Sequence, residues 1–216
     1  MFTGIVQEVG TITDVTSTGG GMRIRLYAPG SAQELKVDRS IAVNGVCLTV
    51  IFKNADEFDV DAVEETLTKT TLCSLAVGDH VNLELPVRLQ DRMDGHMVLG
   101  HVDTVGTITG IEERASSRIM VIELPIQYNR YLIPVGSITV DGVSLTIARI
   151  EDNFISISVI PHTMENTICK FYGVGDHVNV EFDVIGKYIE RLATGHDDKS
   201  DRKNFYTENE LKELGY

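Results

Sequence analysis

Apolar and polar residues alternate with a period of two along much of this chain. Arg23-Ile24-Arg25-Leu26 and Ile155-Ser156-Ile157-Ser158-Val159 put every second side chain on one face, as half-buried β-strands do. Asn44-Gly45 and Asp141-Gly142, each flanked by β-branched residues, are the strongest two-residue hairpin signals available. Gly78-Asp79 and Gly175-Asp176 supply a further turn, each before a strand of the form V-N-x-E. Helical spacing is confined to short stretches, at residues 64–69, residues 163–168 and Tyr188-Ile189-Glu190-Arg191-Leu192, with Gly195 as a stop. A charged linker over residues 197–203 leads to a second short helix. That helix starts at Thr207, where Thr207 and Glu210 form a capping box ahead of Leu211 and Leu214.

The same pattern occurs twice. Residues 1–12 match residues 97–108 at seven of twelve positions, residues 40–50 match 137–147 at seven of eleven, and residues 77–87 match 174–184 at eight of eleven. The offset is 96 at the first block and 97 at the other two, so the chain is a duplication. Two copies are too few for a solenoid. Each is therefore expected to be a compact domain, a small antiparallel barrel whose closure removes exposed sheet edges. The expected boundaries are 1–96, 97–184 and a helical tail at 185–216.

Composition narrows the functional classes. With 43% hydrophobic and 24% charged residues, the chain has the make-up of a soluble globular protein. A net charge of −13 argues against a nucleic-acid partner, whose phosphates this surface would repel. No apolar run approaches the roughly 18 residues of a membrane span, and the start lacks a basic segment followed by an apolar signal core. Three scattered cysteines, with no C-x-x-C pair, fit a reducing compartment and give no metal signature. A cytoplasmic protein without membrane or metal is the expectation.

Chemistry is sought where matched positions differ. Ile5 corresponds to His101, Asn44 to Asp141, Cys47 to Ser144, Glu65 to His162 and Pro86 to Asp183. Each exchange alters hydrogen-bonding or nucleophilic capacity on one scaffold. Copies paired about an approximate twofold axis would form two similar pockets with different chemistry. The junction, Asp94 to Asp103, holds His96 and His101, but positions five apart on a strand face opposite ways, which disfavours a shared metal. Proton transfer suits a histidine better, although a core-edge histidine is the ordinary case. Cys47 is either a small buried hydrophobe or a nucleophile; Cys73 and Cys169 are expected to be buried. Ser40 and Ser137 head strands, where serine often only serves a turn.

Several motifs together resemble the riboflavin synthase family, alpha-chain type. They are MFTGIV, S-I-A-V-N-G-V-C-L-T-V, E-T-L-x-x-T, G-D-H-V-N-L-E, G-H-x-x-x-G-H-V-D and S-I-T-V-D-G-V-S-L-T, running in order from Met1 to about Leu192. The resemblance implies an all-β fold of two tandem six-stranded antiparallel Greek-key barrels with a C-terminal α-helix. It implies a transferase of riboflavin biosynthesis, without cofactor. Two molecules of 6,7-dimethyl-8-ribityllumazine dismutate by four-carbon transfer, giving riboflavin and 5-amino-6-(ribitylamino)uracil. It further implies a homotrimer whose active site lies between the N-terminal barrel of one subunit and the C-terminal barrel of another, with lumazine synthase as a candidate associate. A non-catalytic lumazine- or flavin-binding protein of the same fold is the alternative. The flavin barrel of a reductase lacks its G-x-G-x-x-G nucleotide domain here.

Residue by residue, the resemblance assigns a catalytic set of Thr3, Ser40, Cys47, His96, His101 and Asp183. Cys47 or Ser40 is expected to add to or position the ring, and His101 to transfer a proton. Phe2 is expected against the ring system. The first pocket is expected from Gly4, Ile5, Val6, Cys47, Leu48, Thr49, Asp61, Ala62, Val63, Glu64, Glu65 and Thr66. The second is expected from Gly100, His101, Val102, Ser144, Leu145, Thr146, Ile160, Pro161, His162, Thr163, Met164 and Glu165. Three departures stand out: Val135 where the family often has lysine, Asp94 ahead of Gly95-His96, and Leu85-Pro86 where Arg-Ala is common.

Overall fold

A computed structural model describes residues 1–193 of the chain. The expected stop at Gly195, the linker 197–203 and the helix at Thr207 lie outside the described residues. Strands β1 (Glu8–Ser17), β2 (Gly21–Tyr27), β3 (Ser40–Val43), β4 (Val46–Lys53), β5 (Glu57–Val63) and β6 (His80–Glu84) close into one barrel in the order β1-β2-β5-β4-β3-β6. Strands β7 (Thr104–Glu113), β8 (Arg118–Glu123), β9 (Ser137–Val140), β10 (Val143–Glu151), β11 (Phe154–Val159) and β12 (His177–Phe182) close a second barrel in the corresponding order. All pairings are antiparallel. Among the described residues, no helix is long and apolar enough to cross a membrane.

The turn chemistry sets this register. Asn44 and Gly45 have φ of 44° and 76°, and Asp141 and Gly142 have 42° and 80°, the doubly left-handed pair that lets β3–β4 and β9–β10 turn in two residues. Alternation fills each interior. Ile24, Leu26, Ile41, Phe58 and Val60 pack inside the first barrel; Ile122, Ile138, Val140, Ile155 and Ile157 pack inside the second. Each such side chain contributes about 1.5–3 kcal/mol by burial.

Helix α1 (Pro29–Glu34) bridges β2 and β3. Helix α2 (Glu64–Lys69) falls where its spacing predicts. The second predicted helix starts earlier than residues 163–168: α3 spans Pro161–Asn166, because proline is well suited to the first helical turn. Helix α4 (Val184–Ala193) follows β12, with Ile185, Tyr188, Ile189 and Leu192 exposed.

Cys169 is buried as expected, and burial pushes its thiol up to about 11. Cys73 is exposed instead. Both belong to short 3₁₀ turns, Thr71–Ser74 and Ile168–Phe171, in which the position of Leu72, matched by Cys169, turns inward. Cys73 matches Lys170, on the solvent side of that turn.

The barrels meet about an approximate twofold axis. Asn82 Nδ2 donates to the Asp141 carbonyl at 2.8 Å, and its matched residue Asn179 donates to the Asn44 carbonyl at 3.0 Å. The same two amides accept, from Ile168 N at 2.9 Å and Thr71 N at 2.8 Å. This reciprocity is the signature of twofold pairing.

Candidate active site

Two backbone segments run in the seam between the barrels and change partners there. Near the N-terminus, the Gly4 carbonyl accepts from Ser144 N at 2.7 Å, and Val6 packs on the core of the second barrel. After the junction, the Gly100 carbonyl accepts from Cys47 N at 2.9 Å, and Val102 packs on the core of the first. Both glycines are left-handed (φ 77° and 79°). A Cβ at Gly4 would lie 2.6 Å from Ser144 Cβ, and one at Gly100 would lie 2.7 Å from Cys47 Cβ. Only glycine allows this approach.

The two segments therefore exchange places relative to the expected pockets. Gly4, Ile5 and Val6 belong with Ser144 and the second barrel, whereas Gly100, His101 and Val102 belong with Cys47 and the first. Two buried carboxylates fix this path. Glu84 accepts from Thr3 N at 2.6 Å, Thr3 Oγ1 at 2.8 Å and Gly4 N at 3.0 Å. Its matched residue Glu181 accepts from Leu99 N at 2.8 Å, Gly100 N at 2.9 Å and His101 N at 3.0 Å. Burial pushes both carboxyls up, against the opposing pull of those amides. Each closes a V-N-x-E motif, and that repeated spacing is their signal in the sequence; neither is among the expected site residues.

The first-barrel pocket, about 310 Å³, is lined by Val46, Cys47, Val63, Glu65, Thr66, Lys69, Thr70, Gly100, His101 and Val102. Cys47 is half-buried rather than sealed in the core. Residues on β4 alternate, so Val46, Leu48 and Val50 fill the interior while Cys47 and Thr49 face outward. The pocket thus sits on the outer wall of the barrel, with Lys69 paired to Glu65 at 2.7 Å on its rim. Leu48 and Ala62 point into the core, so only their backbones face outward. Ser40, Thr49 and Asp61 form a row across β3, β4 and β5 outside the pocket lining. Asp61 is held by Arg23 in a two-pronged pair at 2.9 and 3.0 Å.

The matched wall of the second barrel has different chemistry. Where Ala42 pairs with Cys47 across β3–β4, Thr139 pairs with Ser144 across β9–β10. Phe2 and Val98 pack with Ala42 and Cys47. Over Thr139 and Ser144 lies the His96 ring, with Nδ1 2.7 Å from Ser144 Oγ and Nε2 3.1 Å from Thr139 Oγ1. Burial lowers the His96 pKa and so favours the neutral ring, with Asp183 acting in the opposite sense. Asp183 also caps α4, accepting from Ile185 N at 2.9 Å. Thr146 faces outward beside Ser144, Leu145 inward. Ile160, Pro161, His162 and Glu165 stand exposed around the start of α3, whose Met164 packs on the barrel core.

His96 and His101 therefore serve different barrels, and no group of three or more potential metal ligands occurs among the described residues. Val135 is 78% exposed in a left-handed turn (φ 61°), matching Asp38 (φ 67°); nothing in the structure explains a valine there. A larger cleft, about 520 Å³, lies elsewhere, on the twofold axis. It is lined by matched pairs such as His80 and His177 and includes none of the expected site residues.

The family model for the lumazine binding domain matches the chain twice, at residues 3–86 and 99–183. The riboflavin synthase of Bacillus amyloliquefaciens is 43% identical over 192 residues, covering 89% of each chain. That of Bacillus subtilis (strain 168) is 39% identical over 213 residues, covering 97% of this chain and 99% of its own. Among solved structures, LumP complexed with riboflavin aligns with a TM-score of 0.79 at 27% identity, over 84% of this chain and 99% of that one. LumP complexed with 6,7-dimethyl-8-(1'-D-ribityl) lumazine aligns at 0.76 and 27%, over 84% and 98%.

Proposed function

The chain belongs to the lumazine binding domain family, and on that premise we propose that it is a riboflavin synthase, an enzyme acting on two molecules of 6,7-dimethyl-8-ribityllumazine. One substrate gives up four carbons and leaves as 5-amino-6-(ribitylamino)uracil; the other receives them and becomes riboflavin. That makes the enzyme a transferase, and no atom enters from elsewhere.

One observation supports this best: a repeated scaffold carries two matched walls with unlike chemistry. Identical ligands fit a repeat, and unequal fates need unequal groups. Holding both rings in one orientation supplies on the order of 7–11 kcal/mol through proximity. In the first barrel Cys47 and His101 share a pocket, which favours Cys47 over Ser40 as the group that adds to or positions a ring, with His101 moving the proton. In the second, the His96 ring bridges Ser144 and Thr139, with Asp183 close enough to act on its charge. Thr3, Phe2 and the left-handed glycines shape the seam against which the rings lie.

The matched walls lie on the outer faces of their barrels, which suits an active site completed by another copy. The exposed Ile185, Tyr188, Ile189 and Leu192 of α4 suit a trimer contact. Cytoplasmic location and association with lumazine synthase complete the proposal. The test is turnover. Purified protein given the lumazine alone yields riboflavin and the diaminouracil in equal amounts. Tight binding without conversion would leave only a lumazine-binding relative, the reading that similarity to LumP favours.

A further inference from the structure

Thr139 is 1% exposed and lies on the outer side of β9, opposite the inward-facing Ile138 and Val140. Its hydroxyl has one hydrogen-bond partner among the described residues, His96 Nε2 at 3.1 Å. The other ring nitrogen, Nδ1, meets Ser144 Oγ at 2.7 Å. Thr139 and Ser144 are directly paired across β9–β10, so the imidazole bridges two hydroxyls whose spacing the barrel itself sets.

These contacts have a direction. A buried hydroxyl keeps its proton on an acceptor, since an unused buried donor is costly. Among the described residues the acceptor that Thr139 meets is Nε2. A neutral imidazole that accepts at Nε2 carries its proton at Nδ1 and donates there. Ser144 Oγ is then the recipient, and its own proton is left to point away from His96. With the opposite tautomer, Ser144 would give its proton to Nδ1 and offer a bound ligand only a lone pair.

We propose that Thr139 is a positioning residue that fixes the tautomer of His96 and thereby makes Ser144 a hydrogen-bond donor toward the substrate of the second barrel. The functional part of this inference rests on the riboflavin synthase reading; the hydrogen-bond direction does not. Ser144 so oriented faces an acceptor on the ligand, a carbonyl oxygen or unprotonated ring nitrogen of the pteridine. When that acceptor gains electron density, the hydrogen bond from Ser144 strengthens, while Nδ1 goes on donating to Ser144 Oγ and Thr139 keeps its own proton. The first barrel has no such device, because the matched pair is Ala42 and Cys47 under Phe2 and Val98.

The test begins on the unaltered protein, labelled with ¹⁵N-histidine. Long-range ¹H–¹⁵N spectra are expected to show His96 protonated at Nδ1 and bare at Nε2; the reverse assignment would overturn the proposal. Thr139→Val, of similar size but without the hydroxyl, is expected to mix the tautomers and lower kcat about tenfold, the factor one ordinary hydrogen bond supplies. Lumazine affinity at the first-barrel pocket should not change. Thr139→Ser is expected to restore both tautomer and rate, and a serine variant as slow as the valine one would count against the proposal. Should the protein bind lumazine and never convert it, the function fails while the spectrum still decides the direction of the hydrogen bonds.

Discussion

Phe2 and Val98, the same position in the two repeats, exchange backbone hydrogen bonds: Phe2 N donates to the Val98 carbonyl at 2.7 Å, and Val98 N to the Phe2 carbonyl at 3.1 Å. A residue bound to its own repeat counterpart must lie on the axis relating the copies. Gly45 and Gly142 meet the same condition deeper in the interface. A Cβ at Gly45 would fall 2.7 Å from Gly142 N, and one at Gly142 would fall 2.8 Å from Gly45 N.

Gly45→Ala is therefore predicted to strain the hairpin and separate the barrels at once. Its φ of 76° alone disfavours a side chain, and the backbone opposite cannot yield. A loss of about 2 kcal/mol or more is expected from urea unfolding. An unchanged midpoint would mean that the barrels do not pack through these turns.

Asp141 should make stability depend on pH. Burial pushes its carboxyl from 3.8 up to about 7, against hydrogen bonds from Tyr172 and Asn179. The folded value lies above the unfolded one, so the fold prefers the neutral acid. Its contribution is complete below 3.8 and is lost as pH rises through about 7. The matched residue Asn44 accepts the equivalent backbone bond, from Asn82 N at 2.7 Å, without a charge. Asp141→Asn should thus gain on the parent protein by ~1 kcal/mol or more between about pH 4 and about pH 8. Parallel stability profiles for the two proteins would refute this.

Cys47→Ser and His101→Ala are each predicted to slow turnover by at least about a hundredfold, the usual range for a lost acid–base or nucleophilic group. Lumazine binding, followed by its fluorescence, should weaken far less. Wild-type rates in both variants would remove the first-barrel pocket from the chemistry.

Much of this architecture is legible in the sequence because it rests on local rules. The hairpins at Asn44-Gly45 and Asp141-Gly142 follow from backbone freedom at two residues, and the barrels follow from alternation. The path of the seam does not, since Thr3 is held by Glu84, 81 residues away. Matched positions reveal that Ile5 and His101 are equivalent but not which barrel each one serves, which the folded chain decides. Cys73 is exposed for a related reason: its 3₁₀ turn buries Leu72 and leaves Cys73 on the solvent side, and composition cannot say which residue turns inward. Thr139 is not legible either, because a threonine on a strand looks ordinary until the chain folds His96 over it.

On the proposed function, the two repeats provide unlike halves of one active site, brought together from different subunits. His101→Ala disables the half built on the first barrel, and His96→Ala the half built on the second. Riboflavin formation should be measured for each variant alone and for the two co-expressed in one cell and purified as mixed assemblies. Both variants alone are predicted to be nearly inactive. The mixed assemblies should recover clear activity, because an intact first barrel of one chain meets an intact second barrel of another. Mixed assemblies no more active than the sum of their parts would contradict this account.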